Sequence, residues 1–407
     1  MLAAQQRGDD SLETGRFLVT FKDGALERGD AVFRKRGMRV ADARDFGAQA
    51  LEMGALGDAD AVIFPEIGVA LVGGGDMAAT AFGALEAAVA ENPLQIVEPE
   101  YFVFAEGISS DYLRGFRRAV EAISADFGEP ALEDSSETVQ VQGATWGLAA
   151  CRVPASAFTG QGIKVAVLDT GMDLAHPDFA GRSITAATFV GQLPQDLHSH
   201  GTHCIGTACG PQAPAGTTPR YGIAFRSNIF VGKVLSNSGG SVGGSVLAGM
   251  NWAIANRCEV ISLSLGSQAP VQAAYTNAGA AALQKGLLMI AAAGNAASNT
   301  GAPANSPSIM AVASLDNNLQ PSAFSSFGKI EIAAPGRDVY SSVPRPTRYG
   351  YKSGTSMAAP HVAGCAALWA QSNPALRGQA LWNRLLATAR ALPVPANRVG
   401  RGLVQAP

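Results

Sequence analysis

Cysteine is scarce in this sequence, with five residues in a chain of 407. No two of them form a CxxC pair, and an odd, sparse set indicates neither a disulfide scaffold nor a zinc knuckle. Charge is also sparse, since 15% of the residues are charged, 30 basic against 33 acidic, for a formal net charge of -3. We therefore expect neither nucleic acid nor a membrane surface as a partner, because both require a concentrated basic face.

Long apolar runs are absent as well. No run reaches the roughly 18 residues that a membrane-spanning helix requires, so we do not expect an integral membrane protein. The first 15 residues, MLAAQQRGDDSLETG, lack a basic segment followed by an apolar stretch. We expect no signal peptide in them and predict that residues 1–15 are disordered.

Hydrophobic residues (47%) and glycine (47 residues) are abundant instead. This composition provides enough apolar surface for large packed cores and suits an α/β enzyme with functional loops. The length is compatible with two or three domains.

Residues 16–105 have the pattern of a small α+β unit. Apolar runs and amphipathic stretches alternate so as to predict the order β-α-β-β-α-β, the ferredoxin-like arrangement. The predicted strands cover 16–22, 38–46, 61–73 and 95–104, and the predicted helices end near Gly37 and cover 76–91. Residues 106–145 follow as a polar linker, in which 111–127 has the pattern of an amphipathic helix.

From residue 146 to 407 the pattern changes, because continuous apolar runs alternate with helical stretches. The predicted strands are IKVAVLD (163–169), NIFVGKVL (228–235), EVISLSLG (259–266), LLMIAAAGN (287–295) and SIMAVAS (308–314). Strands that are apolar on both faces are typical of a parallel sheet covered by helices. We therefore predict a three-layer α/β domain with its chemistry beyond the carboxyl ends of the strands.

Two clusters of polar residues could carry that chemistry. Asp169 ends a predicted strand at the expected edge, although Asp-Thr-Gly after a strand more often only caps a turn. The segment HSHGTHCIGT contains His198, His200 and His203, three of the five histidines. Clustered imidazoles can bind zinc, so one interpretation is a metallohydrolase, and the other is a single catalytic histidine at the start of a helix.

The segment GTSMAAPHVAGCAALWAQ (354–371) favours the second interpretation. Ser356 begins a long apolar helix, so its hydroxyl and backbone N–H are expected at a helix N-terminus, where negative charge is favoured. Serine at such a position is usually only a cap. A polar run joined directly to a buried helix of small residues nevertheless indicates an active site.

The chain resembles the subtilisin-like serine proteases, and within them the proteinase K branch. Four motifs occur in the family's order, which are VAVLDTG around Asp169, HGTHCIGT from His200, AAAGN up to Asn295 and GTSMAAPH around Ser356. The free cysteine of the proteinase K branch has a counterpart in Cys204. The resemblance covers residues 146–372 closely, and it implies a serine endopeptidase with a subtilisin-like catalytic domain over 146–407.

The resemblance implies a role for each motif residue. Ser356 would be the nucleophile, His200 the general base and then acid, and Asp169 the carboxylate that orients the imidazole. Asn295 and the N–H of Ser356 would form the oxyanion hole. Two alternatives stay open: a dedicated processing protease with one substrate, and a metallohydrolase that uses the histidine cluster.

An extended peptide substrate would pair with the backbone of two segments. The residues implied in substrate binding are Gly239, Gly240, Ser241, Ser264, Leu265, Gly266, Ala293 and Gly294. No Asp or Glu occurs from residue 260 to 315, the region implied to line the specificity pocket. We therefore expect an apolar or aromatic residue before the scissile bond, since Lys or Arg would require a buried carboxylate.

Residues 16–105 resemble, less specifically, the inhibitory propeptide of such proteases. The resemblance implies a monomeric zymogen inhibited by its own N-terminal domain. It also implies secretion if a signal was removed upstream, and a cytoplasmic location otherwise.

No cofactor is required for the implied chemistry, but calcium would serve stability. Glu331 falls where the proteinase K branch places a carboxylate ligand, and Pro307 and Ile309 would supply carbonyl oxygens to the same ion.

Overall fold

A computed structural model describes residues 12–51, 59–73, 92–105, 143–216 and 218–407. The helix predicted over 76–91, and all but the last residues of the predicted linker 106–145, lie outside these ranges. Within them the chain forms two seven-stranded sheets and one two-stranded hairpin.

In the residues that the structure describes, the N-terminal unit is a mainly antiparallel sheet with one α-helix. Its elements are β1 (Glu13–Phe21), α1 (Leu26–Lys35), β2 (Val40–Asp42), β3 (Ala61–Phe64), β4 (Val69–Val72) and β5 (Leu94–Ala105). The strand order is β5-β1-β4-β3-β2, and only the pair of β2 and β3 is parallel. The helix α1 buries Phe33 in the small core under the sheet, where its ring centroid lies 5.8 Å from that of Phe21.

The structure corrects the strand predicted over residues 61–73. This run is a hairpin of two strands, because Pro65 has no N–H for a ladder and Gly68 adopts a left-handed φ of 63°. A φ of this sign is accessible to glycine without strain. The turn therefore divides one apolar run into β3 and β4.

Two further N-terminal boundaries differ from the prediction. The strand expected over 38–46 ends at Asp42, whose carboxylate accepts the N–H of Arg44 at 2.8 Å and begins a 3-10 turn. The first strand begins at Glu13, so the disorder predicted for residues 1–15 does not extend to the last of them.

The predicted α/β domain with a mainly parallel sheet is confirmed. The strands of the central sheet are β6 (Lys164–Asp169), β7 (Ile184–Thr188), β8 (Asn228–Lys233), β10 (Val260–Leu263), β12 (Leu288–Ala292), β13 (Met310–Leu315) and β14 (Ile332–Pro335). Their order in the sheet is β14-β13-β12-β10-β6-β8-β7, and every neighbouring pair is parallel. All five predicted strands are present, and the sequence patterns miss only β7 and β14 of this sheet.

The remaining elements connect and cover this sheet. The helices are α2 (Trp146–Ala150), α3 (His200–Cys209), α4 (Gly243–Ala255), α5 (Ala273–Gln284), α6 (Thr355–Ser372), α7 (Gly378–Thr388) and α8 (Ala396–Val399). The other strands are β9 (Gly240–Val242) and β11 (Leu265–Gly266), which both join the N-terminal sheet, and the hairpin of β15 (Val339–Ser342) and β16 (Tyr349–Lys352). Among the described residues, no helix combines the length and apolar character that crossing a bilayer requires.

The helix α6 is central to the domain. Alanine and glycine make up much of its sequence, and nearly all of its residues are buried. Small side chains allow it to pack closely on β10, β12, β13 and β14 and against α3. Its N-terminus is thereby held at the edge of the sheet where β6 ends.

Candidate active site

Three predicted residues come together from separate elements at the carboxyl edge of the central sheet. Asp169 is the last residue of β6, His200 is the first residue of α3, and Ser356 is the second residue of α6. All three are buried. This edge is the usual location of ligand chemistry in parallel sheets.

A buried hydrogen bond joins Asp169 and His200. Oδ1 of Asp169 lies 2.8 Å from Nδ1 of His200, and it also accepts the N–H of Thr170 at 2.7 Å. A carboxylate can only accept, so Nδ1 carries the proton. The bond therefore selects the tautomer in which Nε2 is the acceptor.

Two opposing effects determine the basicity of His200. Burial alone would lower the pKa of the imidazole, but the adjacent Asp169 carboxylate outweighs it and raises the pKa well above the ordinary value of 6.5. The ring is therefore a stronger base than an exposed histidine.

A fully buried lysine lies behind this pair. The Nζ of Lys233 donates to the carbonyl of Thr170 and to Oδ1 of Asn237, the latter at 2.8 Å. Burial lowers the pKa of Lys233, and the carboxylates of Asp196 and Asp169 oppose that effect. The lysine thus supplies a positive charge near two buried carboxylates.

Asp196 is a second buried carboxylate, which no motif in the sequence identifies as functional. Its Oδ1 accepts the hydroxyl of Thr170 and the N–H groups of His198 and Ser199 at 2.8–3.0 Å. Its Oδ2 accepts the N–H and the hydroxyl of Thr202 at 2.9 and 2.7 Å. These five bonds tie the end of β6 to the first turn of α3, where Ser199 supplies no side-chain cap.

The position of Asp196 therefore controls where α3 begins, and His200 is the first residue of that helix. The only sequence signal is an Asp a few residues before a helix start, which is typical of any N-cap. Such a signal does not distinguish a residue that orders an active site from an ordinary cap.

Ser356 and His200 do not share a hydrogen bond in this structure. The hydroxyl of Ser356 donates to the carbonyl of Ser264 at 3.3 Å, and no hydrogen-bond partner of His200 Nε2 is present in the described parts of the chain. Both residues nevertheless contact the sulfur of Cys204, which lies 3.9 Å from His200 Nδ1 and 3.5 Å from the carbonyl oxygen of Ser356. The two residues are therefore close neighbours, with the serine rotamer directed at Ser264.

The side-chain amide of Asn295 is oriented by Thr355. Its Oδ1 accepts the N–H of Thr355 at 2.8 Å and the hydroxyl at 3.0 Å. Because Oδ1 is bonded to Thr355, the Nδ2 donors of Asn295 point away from that residue. Nδ2 lies next to Gly354, since a Cβ built on this glycine would be 3.1 Å from it. Asn295 thus presents N–H donors next to the first turn of α6, where the N–H of Ser356 also lies.

The predicted histidine cluster does not form a metal centre. The ring of His198 lies 6.2 Å from that of His200. His203 bonds in another direction, to the carbonyl of Val339 at 2.9 Å, and burial lowers its pKa to about 3. In the described ranges, the group of potential ligands within 4.8 Å of one another is Asp169, His200 and Cys204, without the other two histidines. The metallohydrolase alternative is therefore not favoured.

The two segments implied in substrate binding lie on either side of β5. The antiparallel register pairs Phe102 with Val242, Val103 with Ser241, Phe104 with both Gly240 and Gly266, and Ala105 with Leu265. The N–H of Ala105 also donates to the carbonyl of Gly239 at 2.7 Å. The end of β5 is thus a middle strand between the two segments.

The other two implied substrate-binding residues precede Asn295. Ala293 is buried and donates its N–H to Val312 at 3.1 Å, whereas the N–H of Gly294 donates to the hydroxyl of Thr355 at 3.1 Å. Both amides are therefore engaged within the protein.

Two glutamates of β5 bind the N-termini of helices in the α/β domain. The carboxylate of Glu98 accepts the N–H groups of Ala273 and Ala274 at 2.9 and 2.8 Å, at the start of α5. Glu100 is buried and accepts the N–H of Gly244 at 2.7 Å, in the first turn of α4. A carboxylate at a helix N-terminus satisfies free N–H groups and complements the helix dipole.

The residues predicted as calcium ligands do not fit a divalent cation. Oε2 of Glu331 lies 2.8 Å from Nζ of Lys329, which also donates to the carbonyl oxygens of Ile309 and Ala304. Pro307 is exposed. An ammonium group already lies against the predicted carboxylate and one of the predicted carbonyls, so a second cation there would be repelled.

Comparison with known proteins gives one consistent result. The sequence model of the subtilase family (peptidase S8) matches residues 160–402. An alkaline protease of Alkalihalobacillus alcalophilus is 39% identical over 298 residues, which are 70% of this chain and 75% of that protein. Subtilisin Savinase of Lederbergia lenta is 40% identical over 272 residues, 65% of this chain and 98% of that protein. Subtilisin E of Bacillus subtilis is 36% identical over 272 residues, 64% of this chain and 70% of that protein.

The bonds of Asp196 predict the effect of an isosteric change. Asp196→Asn should lower the free energy of unfolding by about 1–3 kcal/mol, because an amide nitrogen cannot accept the bonds that Oδ2 receives from Thr202. Urea unfolding of full-length protein in a Ser356→Ala background measures the effect. Asp23→Asn is the matched control, since Asp23 is exposed. Equal stability of the two variants would contradict the assigned role.

Proposed function

Because this chain belongs to the subtilase family and is a serine endopeptidase, we propose that Asp169, His200 and Ser356 form its catalytic triad. The observation that carries this proposal is the buried 2.8 Å bond between Asp169 and His200, next to the N-terminus of α6. It leaves Nε2 as the basic nitrogen of a ring that lies at the edge where β6 ends.

The proposed reaction follows from these positions. Rotation of the Ser356 side chain away from Ser264 gives its hydroxyl proton to His200 Nε2, while Oγ attacks the carbonyl carbon of the peptide bond. Asp169 holds the ring and stabilises the imidazolium that results. The imidazolium then protonates the leaving amine, and an acyl-enzyme remains, which water hydrolyses with His200 again acting as base.

The proposed oxyanion hole consists of the Asn295 amide and the N–H of Ser356. Support comes from the two bonds between Asn295 Oδ1 and Thr355, which fix the amide before substrate arrives. Donors that are oriented in advance require no reorganisation when negative charge develops on the carbonyl oxygen. The dipole of α6 acts in the same direction.

We propose that residues 16–105 are an inhibitory propeptide, 106–145 a linker and 146–407 the catalytic domain. Support comes from the end of β5, which pairs with both segments implied in substrate binding. A bound strand of this kind uses the backbone contacts that an extended substrate would use. The caps that Glu98 and Glu100 provide to α5 and α4 add charge-assisted bonds to the same interface.

The register indicates where self-cleavage would occur. Phe104 pairs with Gly266 and Ala105 with Leu265, and the preceding residue, Ser264, is the one that accepts the Ser356 hydroxyl. Counting one residue further along the sequence, we propose cleavage after Glu106, which is the first residue of the proposed linker. An attached strand has a high effective concentration at the site, so its last residue need not be a favoured one.

The finer placement in the proteinase K branch is also a proposal. Its support is the position of Cys204, whose sulfur contacts both His200 and Ser356. Burial raises the pKa of this thiol, which suits a protonated, unreactive packing group.

Intact-mass analysis of the expressed protein tests the proposed triad and cleavage together. The Ser356→Ala variant should remain a single chain of 41.7 kDa. Wild type should give an N-terminal fragment that ends at residue 106 and a separate catalytic fragment. An uncleaved wild type that is also inactive on peptides would contradict the proposed triad, and equal cleavage of both proteins would contradict self-processing.

The preference for an apolar or aromatic residue before the scissile bond is proposed from the absence of acidic residues over 260–315. Chromogenic peptides that differ only at this position should be cleaved at least about tenfold faster with Phe or Leu than with Lys or Arg, because a buried cation without a partner is costly. Values of kcat/KM for the mature enzyme measure the ratio. Fastest cleavage after Lys or Arg would refute the preference.

The raised pKa of His200 predicts an alkaline pH dependence. The ring must be neutral to accept the serine proton, so kcat/KM should rise with pH and reach half its plateau above 6.5, the ordinary value for histidine. Asp169→Asn removes the charge that raises the pKa. The half-rise should then move to lower pH and the plateau should fall by roughly 10⁴. If kcat/KM of the wild type reached half its plateau at or below pH 6.5, the assignment of His200 as the base would be contradicted.

A further inference from the structure

The Lys329 ammonium has three oxygen acceptors within the protein. Nζ lies 2.9 Å from the carbonyl oxygen of Ala304 and 2.8 Å from Oε2 of Glu331, and it also donates to the carbonyl of Ile309. The ring of Trp382 lies on another side, with its centroid 5.9 Å from Nζ. A charged lysine has three N–H donors, so this arrangement satisfies all of them.

The geometry itself argues that the lysine is charged. A neutral amine has two N–H groups and could not donate to all three acceptors. The side chains of Lys329 and Glu331 are only 26% and 18% exposed, so solvent screens the pair only in part. Burial lowers the pKa of Lys329, and the Glu331 carboxylate opposes that effect.

These acceptors join three parts of the fold. Ala304 and Ile309 bracket the turn before β13, and Glu331 immediately precedes β14. Glu331 Oε2 also accepts the N–H of Ala311 at 2.6 Å, and the carbonyl of Lys329 accepts the hydroxyl of Thr300 at 2.9 Å. The cation therefore fixes the end of the segment that runs from Asn295 to the central sheet.

A calcium ion requires about six to eight oxygen ligands at roughly 2.3–2.6 Å. Here one carboxylate oxygen and two carbonyl oxygens converge, and the point on which they converge is the lysine nitrogen. We propose that Lys329 is an internal replacement for a metal ion, so that this part of the fold is held by an ammonium group and does not take up calcium.

The proposal predicts what happens when the charge is removed. Lys329→Met would leave a carboxylate and two carbonyl oxygens facing one another across a space of roughly one ammonium group. That set of hard oxygen donors carries a negative charge, and water molecules would complete the coordination of a Ca²⁺ ion bound there. The variant should therefore acquire a calcium site that the parent protein lacks.

The experiment uses the full chain in a Ser356→Ala background, so that its outcome does not depend on the proposed catalytic role. Bound Ca²⁺ is counted by equilibrium dialysis after treatment with EDTA, and Tm is recorded in Ca²⁺ and in EDTA. The Lys329→Met variant should bind one more Ca²⁺ than the parent, with a lower Tm in EDTA that Ca²⁺ raises again. Adding Glu331→Gln should abolish both gains.

Two controls make the result specific. Lys22→Met removes an exposed lysine and should leave both Ca²⁺ binding and its effect on Tm as in the parent. Glu331→Gln alone should not change the amount of Ca²⁺ bound by the parent, and this arm decides the question even if Lys329→Met fails to fold. Loss of a bound Ca²⁺ in Glu331→Gln, or a folded Lys329→Met variant without additional Ca²⁺, would overturn the proposal.

Discussion

The buried hydrogen bond between Asp169 and His200 determines what the surrounding structure has to provide. Burying an ionised carboxylate away from water is costly unless it is hydrogen-bonded and its charge is balanced. The N–H of Thr170 and the ring of His200 both bond Oδ1 of Asp169, whereas Oδ2 has no hydrogen-bond partner in the described parts of the chain. Lys233 provides positive charge from a fully buried position. Asp196 completes the arrangement, because it takes up the Thr170 hydroxyl and the free N–H groups before α3. Lys233 thus offsets part of the cost of burying the functional carboxylate, and Asp196 holds the strand end and the helix start that carry the pair, although neither has a direct part in the proposed chemistry.

Helix N-termini have two separate uses in this chain. The start of α6 supports the proposed oxyanion hole, where negative charge would appear only during the reaction. The starts of α4 and α5 instead bind permanent charges, the carboxylates of Glu100 and Glu98. The same partial positive charge on free N–H groups acts in all three cases. In the proposed zymogen, two helix N-termini therefore hold the strand that blocks the site. A third helix N-terminus would stabilise the negative charge that develops on the substrate.

The extent to which the sequence predicts this structure depends on how local each feature is. Asp169, His200, Asn295 and Ser356 occur in motifs joined to strong strand or helix patterns, so their positions at element ends can be predicted. The hairpin at Pro65 escapes prediction because apolar residues on both sides of the turn form one continuous run. The strand β7 is missed for another reason, since only one of its residues is buried and no apolar run marks it. Asp196 cannot be identified in this way, because its importance lies in bonds to a strand end distant in sequence.

The position of the Lys329 side chain is another feature that the sequence patterns do not predict. The resemblance implies oxygen ligands at Glu331, Pro307 and Ile309, but it cannot show that the side chain of Lys329, two residues before Glu331, lies between the oxygens of Glu331 and Ile309. A metal ion stabilises a fold only in proportion to its occupancy, which depends on the free ion concentration. A covalently attached ammonium is always present, and its cost combines the desolvation of the charge with the side-chain entropy lost on ordering, the latter up to about 2 kcal/mol for lysine. The three satisfied donors of Lys329 offset that cost, and they do so at the end of the segment that begins with Asn295. The position of the proposed oxyanion donor would then depend on the protein's own charge and not on the calcium concentration around it.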